Sequence, residues 1–92
     1  MSTSTDQLDS AVEEEVRRVL VEFGKLSVDA TTPDSLPSDA SLWSHGLTSH
    51  ASVTVMLGCE DAFDVEFPQR LLTKQTFSSV ASIVAAVREV QE

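Results

Sequence analysis

The chain is short of several things, and each shortage removes a class of function. Among its 92 residues there is one cysteine, Cys59, so no internal disulfide can form, which suits a reducing compartment. Basic residues number six against fifteen acidic ones, a net charge of −9. Nucleic acid is a poor partner for such a surface, because binding it requires cations that displace counterions. An anionic membrane is a poor partner for the same reason. A protein partner with a basic docking face fits the charge best. No apolar run is long enough to span a bilayer. The opening `MSTSTDQLDS` has neither a basic n-region nor an apolar core, so it does not read as a signal peptide. The expected setting is cytoplasmic. The length allows one domain, residues 1–92, with 1–5 expected to be a flexible lead-in. It leaves no room for separate substrate and nucleotide domains, which argues against a self-sufficient enzyme.

There is also no strand-period alternation of useful length and no repeat. Helical spacing is present instead. Leu8, Val12, Val16, Val19, Leu20 and Phe23 share one face, which predicts a first helix from residue 6 or 10 to about 24, with Gly24 as its terminator. Residues 29–41, `DATTPDSLPSDAS`, form a long loop rich in turn formers. Leu42, Trp43 and Leu47 are apolar enough to pin its second half to the core. A second helix is expected from Ser49 to about Phe63, capped by Thr48 or by Ser49 itself. A short helical turn is expected in `QRLLT` after Pro68. Phe77, Val80, Ile83, Val84 and Val87 mark a last helix near 78–90. The expected fold is therefore all-α: a small bundle of three main helices plus a short one, with a long first loop.

Two serines compete for a functional role. Ser35, between Pro33 and Pro37, reads as a turn residue whose hydroxyl bonds nearby backbone. Ser49 follows the Gly46 turn and starts a helix, where unsatisfied N–H groups and the positive end of the dipole would favour an attached phosphate. The wider pattern separates them. Gly46 lies three residues before Ser49. Glu60-Asp61 and Phe63 close the helix, Phe67-Pro68 ends the next loop, and Thr76-Phe77 precedes the last helix. Counted from Ser49, this spacing resembles the acyl carrier protein family, including peptidyl carrier domains. Counted from Ser35 it fits nothing.

The resemblance implies that Ser49 accepts 4′-phosphopantetheine from coenzyme A through a phosphopantetheinyl transferase, and that the arm's thiol then holds an acyl or aminoacyl group as a thioester. The carrier would supply tether and address while partner enzymes, including a downstream acyl acceptor, supply catalysis. Two positions depart from the family pattern: Thr48 stands where an aspartate is usual, and His50 where a leucine is usual. With helix two free of acid until Glu60, `GLTSH` and `EDAFDVEFP` are most similar to bacterial carriers served by amino acid:[carrier protein] ligases. A fatty-acid, polyketide or peptide-synthesis carrier is the competing reading, and a non-carrier acidic adaptor in which Ser49 is only a cap is another.

Angular placement at about 100° per residue puts Ser52, Val55, Met56, Cys59 and Phe63 on one uncharged stripe that can face the core. Val53 and Leu57 are left outside beside Glu60 and Asp61. With Thr48 and His50, these four form the expected docking surface, and the carrier is expected to work as a monomer. Ser49 and His50, adjacent on a helix, diverge too far to act as a catalytic pair. His45 and His50 lack companions for a zinc site. Asp61, Asp64 and Glu66 miss the calcium-loop spacing. Trp43 is expected to pack the long loop against the core.

Overall fold

The computed structural model describes residues 3–91, with side-chain surroundings from residue 10 onward. Its three main helices are α1 (Thr3–Val19), α2 (Ser49–Phe63) and α3 (Val80–Gln91). Single 3₁₀ turns at Trp43–His45 and Gln69–Leu71 interrupt the connections, and no strand occurs among the described residues. The expected all-α bundle with a long first loop is what forms.

Helix α1 is already helical at Thr3, earlier than the expected start at 6 or 10. Residues 1 and 2 of the expected lead-in lie outside the described residues. Its buried stripe is Val12, Val16, Val19 and Leu20, while the side chain of Leu8 lies outside the described set. The last turn, Leu20–Gly24, loosens into a π-helix. The left-handed residue that ends it is Lys25 (φ 53°), not Gly24, which stays buried against Leu20, Leu26 and Val55. Helix α2 ends in the same way at Asp64 (φ 54°), whose N–H bonds back to Glu60 O.

The buried face of α2 is Ala51, Val55 and Cys59, four residues apart. The helix approaches α1 closely through Gly58. A Cβ there would lie 2.8 Å from the Phe23 ring and 2.9 Å from Val19 Cγ1, closer than carbon atoms tolerate. Helix α3 contributes Val80, Ile83, Ala86 and Val87. Phe77 meets Phe67 edge to face, with ring centroids 6.2 Å apart.

The long loop is held in two ways. Leu36, Leu42 and Leu47 are buried in the core, as is Ala30. The second restraint comes from a charge. Arg17, only 4% exposed, donates to the carbonyls of Ala30 and Leu36, each at 2.9 Å, and to Glu13 Oε2 at 3.0 Å. Ser38 Oγ also donates to that carboxylate at 3.0 Å. A buried guanidinium is costly unless every donor is matched. Here the loop carbonyls, which would otherwise be buried without partners, do the matching, and no buried side-chain polar atom among the described residues lacks a bond. Two backbone bonds, Leu42 N–H to Ser78 O and Ala81 N–H to Ser38 O, tie the same loop to the start of α3. The loop is thus strapped to α1 and to the start of α3, and it leads residues 43–48 to the head of α2.

Candidate functional site

The residues before Ser49 form a tightly held neck. His45 O accepts from both the backbone N–H of Ser27 (2.8 Å) and its hydroxyl (2.9 Å), while His45 Nδ1 lies 2.8 Å from Ser41 O. Gly46 has φ 103°, and a Cβ on it would sit 3.2 Å from Ser27 N, so this turn has both a conformational and a steric need for glycine. Leu47 is buried, and its N–H closes onto Leu42 O at 3.0 Å.

Thr48 then adopts an extended conformation and caps α2: its Oγ1 accepts from Ala51 N–H at 3.0 Å. This decides between the two expected caps. Ser49 is the first residue of the helix, and its exposed hydroxyl has no partner among the described residues. The backbone N–H groups of Ser49 and His50 likewise have no acceptor among those residues. An unengaged hydroxyl beside unpaired helix N–H groups suits a covalently attached phosphate. Ser35 is different. It lies in a turn, with its N–H donating to Thr32 Oγ1 at 3.2 Å and no helix starting from it.

From Ser49 an exposed ridge runs down α2. Ser49, Val53, Leu57 and Asp61 are spaced four apart, so each is offset by only about 40° from the last, and all four are exposed. Val53 is 53% and Leu57 54% exposed, as the angular argument required. Thr48 and His50 are also exposed. Glu60 is turned to another task. It is half-buried, and its carboxylate accepts the Phe67 N–H at 2.8 Å, holding the loop that follows the helix. Asp61 is left as the exposed acid of the pair.

Of the expected core stripe, Val55 and Cys59 are buried, whereas Ser52, Met56 and Phe63 are half-buried, Met56 and Phe63 packing against the edge of the core. With Ser49, Met56 lines an open groove of about 660 Å³ whose far side is Trp43, Leu72, Lys74 and Phe77. Trp43 packs against the core as expected, but it also forms a wall of this groove: its Nε1 donates to Lys74 O at 3.2 Å, and Lys74 Nζ lies 5.3 Å from the ring centroid. Pairing residues 31 apart in sequence has no local signature, so the groove was not legible from spacing.

Cys59 is fully buried, and burial, reinforced by the nearby Glu15 and Glu60 carboxylates, pushes its thiol up to about 12. It is a packing residue, unreactive at neutral pH. No group of three His, Cys, Asp or Glu side chains able to hold a metal ion occurs among the described residues. No described helix is long and apolar enough to cross a membrane.

No protein-family model matches the chain. It is 42% identical over 73 residues to an aminoacyl carrier protein of Agrobacterium fabrum, an alignment covering 79% of this chain and 84% of that protein. Its structure is similar to that of a carrier protein from Agrobacterium tumefaciens solved with an engineered Bradyrhizobium japonicum glycine:[carrier protein] ligase and ATP. The TM-score is 0.80 at 38% identity, covering 86% of this chain and 99% of that one. A second structure of this kind of complex, with AMP, matches at a TM-score of 0.76 and 39% identity, covering 83% and 97% of the two chains. The spacing around Ser49, the bundle and these likenesses agree: the chain belongs to the family of aminoacyl carrier proteins.

Proposed function

We propose that this protein carries a small amino acid, glycine being the first candidate, as a thioester on a 4′-phosphopantetheine arm attached to Ser49. The observation that carries the reading is the division of labour at the head of α2. Thr48 takes the cap, so the Ser49 hydroxyl is exposed and uncommitted. Transfer from coenzyme A would break the P–O bond of its pyrophosphate and form one at Ser49 Oγ, with adenosine 3′,5′-bisphosphate as the leaving group and the hydroxyl proton taken by the transferase. The free N–H groups of Ser49 and His50 are placed to receive phosphate oxygens. The arm would supply the thiol that forms the thioester.

The chain's own contribution is placement. The Ser27–His45 bonds and the Gly46 turn hold Ser49 at a rigid end of the molecule. The ridge of Val53, Leu57 and Asp61 then offers partners an apolar strip ending in a negative charge, with Thr48 and His50 at its head. Apolar contact supplies affinity, and the acid steers a basic-edged partner surface into register. The partners are a phosphopantetheinyl transferase, an amino acid:[carrier protein] ligase resembling a class II synthetase core, and a downstream enzyme that accepts the aminoacyl group, all in the cytoplasm. The protein itself performs no catalysis. The experiment is loading of the pantetheinylated carrier by such a ligase with ATP and glycine, followed by intact mass. A hydroxylamine-labile glycyl increment is expected. Loading by a fatty-acyl ligase alone would reject the aminoacyl assignment.

A further inference from the structure

Residues 27–45 form a loop whose two ends are bonded to each other. The Ser27 N–H and hydroxyl both donate to His45 O, at 2.8 and 2.9 Å. Ser49 follows four positions after this closure. The loop's buried side chains are Ala30, Leu36 and Leu42, and one charged group from α1, the Arg17 guanidinium, is buried against it. Arg17 Nη1 donates to the carbonyls of Ala30 and Leu36, while Nη2 reaches Ser38 Oγ at 3.3 Å and Glu13 Oε2 at 2.9 Å. A single planar fork therefore grips the loop at Ala30, Leu36 and Ser38, and Glu13 braces it from α1. Bringing the ends of a loop together costs entropy, so the closure at Ser27 and His45 depends on what holds the segment between them.

We propose that Arg17 is a positioning residue for the reactions at Ser49: its grip on Ala30, Leu36 and Ser38 keeps the Ser27–His45 closure intact, and the closure fixes the Ser49 hydroxyl. The inference rests on the carrier reading above. The path is continuous. It runs from Arg17 into the loop, to the bonds between Ser27 and His45, and through the Gly46 turn to Leu47, whose N–H bonds to Leu42 O just before the Thr48 cap. Without the fork, the Ala30 and Leu36 carbonyls must find water, and the loop opens to let it in. Lysine is no substitute, because its ammonium is a point donor and cannot span these acceptors as a guanidinium does. A loosened neck frays the first turn of α2, where Ser49 sits. Val53 and Leu57 lie one and two turns further along the helix, so a partner still docks but meets a misplaced hydroxyl. A displacement of about 1 Å can cost about a hundredfold in rate.

The carrier is the substrate of its transferase, so kinetics separate placement from folding. A variant that only loses folded fraction lowers the substrate concentration, which raises the apparent KM and leaves kcat alone. A misplaced hydroxyl lowers kcat at saturating carrier and leaves KM near the parent value. Pantetheinylation by a broad-specificity transferase, with coenzyme A and magnesium, is followed by intact mass on the parent, Arg17→Lys, Ser38→Ala and Arg18→Lys. Arg17→Lys should lower kcat about tenfold. Ser38→Ala removes one contact and no charge, and should lower it at least about twofold. Arg18, the exposed neighbour, serves as the control, and Arg18→Lys should match the parent. Amide exchange on the apo proteins gives a second readout: in Arg17→Lys the Ser27 N–H should lose protection by a larger factor than the Val55 N–H. A parent-like kcat in Arg17→Lys or Ser38→Ala overturns the positioning role and leaves the carrier reading standing. An equal fall in Arg18→Lys, or Ser27 protection that falls only in step with Val55, does the same. Should Arg17→Lys fail to fold, Ser38→Ala decides alone. If the parent gains no mass, the carrier reading is overturned and the positioning role with it.

Discussion

The two faces of α2 share one backbone and obey opposite rules. On one face Ala51, Val55 and Cys59 are buried and Gly58 sits against Phe23 and Val19 with no space to spare. On the other, Ser49, Val53, Leu57 and Asp61 are exposed. The buried face answers to packing, where one added methyl is felt. The exposed face is under no such packing constraint and is the surface proposed to meet partners. The comparison teaches that apolar residues on one helix need not do the same job: Val55 holds the fold, whereas Val53, two positions earlier, is available for recognition.

The contrast can be broken at several points. The largest effect is expected from Val55→Asp, which puts an unpaired carboxylate in a site of zero exposure. Burying such a charge costs several kcal/mol, enough to unfold a domain whose whole stability is about 5–15 kcal/mol. Circular dichroism at 25 °C should show loss of helix, and a cooperative melt near that of the parent would contradict the face assignment.

Gly58→Ala comes next. In an exposed helix interior this change stabilises by about 1 kcal/mol. Here the new methyl would collide with the Phe23 ring and Val19, so a loss of about 1–3 kcal/mol is expected from overpacking. Urea unfolding reads the sign directly, and a stabilised variant would show that α1 and α2 are not closely packed at this point.

Thr48→Ala should cost about 1 kcal/mol through the lost cap, whereas Ser49→Ala should cost nearly nothing because the Ser49 hydroxyl makes no bond among the described residues. The same urea measurement on both variants checks this, and the reverse order would return the cap to Ser49. The smallest effect on stability is expected from Leu57→Arg. Melting should stay close to that of the parent while ligase loading falls at least about tenfold, equivalent to about 1.4 kcal/mol of lost partner contact. Unchanged loading would leave the ridge without a docking role.

Cys59 sharpens the comparison chemically. Its raised pKa means that the folded thiol keeps its proton over a range where the unfolded thiol, near 9, has lost it. Stability from this group is fully present below pH 9 and is lost progressively as pH rises towards 12. At pH 8 the native apo protein should therefore show no fast-reacting thiol toward an aromatic disulfide, and the holo protein one. A fast-reacting thiol in the native apo form would contradict the burial of Cys59.

Much of this was legible before the structure. The Gly46–Ser49–Phe63–Pro68 spacing selected Ser49 over Ser35, and 100° geometry put Val53 and Leu57 outside. The exposure of Val53 and Leu57 bears out the second reading, because angles along one helix are local; the first is the choice that the mass measurement below tests. What was not legible depended on contacts between distant segments. Arg17 carries no mark that distinguishes it from Arg18, yet Arg17 is buried under the strap and Arg18 is exposed beside Glu15 and Glu22. Met56 sits on a core-facing stripe by angle and packs partly against the core, but it also lines a groove together with Phe77 and Leu72. Glu60 belongs to an acidic pair in sequence, and only the path of the following loop brings the Phe67 N–H to its carboxylate.

The central claim is that Ser49 is where the carrier is armed. The most direct measurement is intact mass after incubation with coenzyme A, magnesium and a broad-specificity phosphopantetheinyl transferase, on the parent, Ser49→Ala and Ser35→Ala, all three verified as folded. The account predicts the phosphopantetheine increment on the parent and on Ser35→Ala, and none on Ser49→Ala. An increment that survives Ser49→Ala, or disappears with Ser35→Ala, would contradict it.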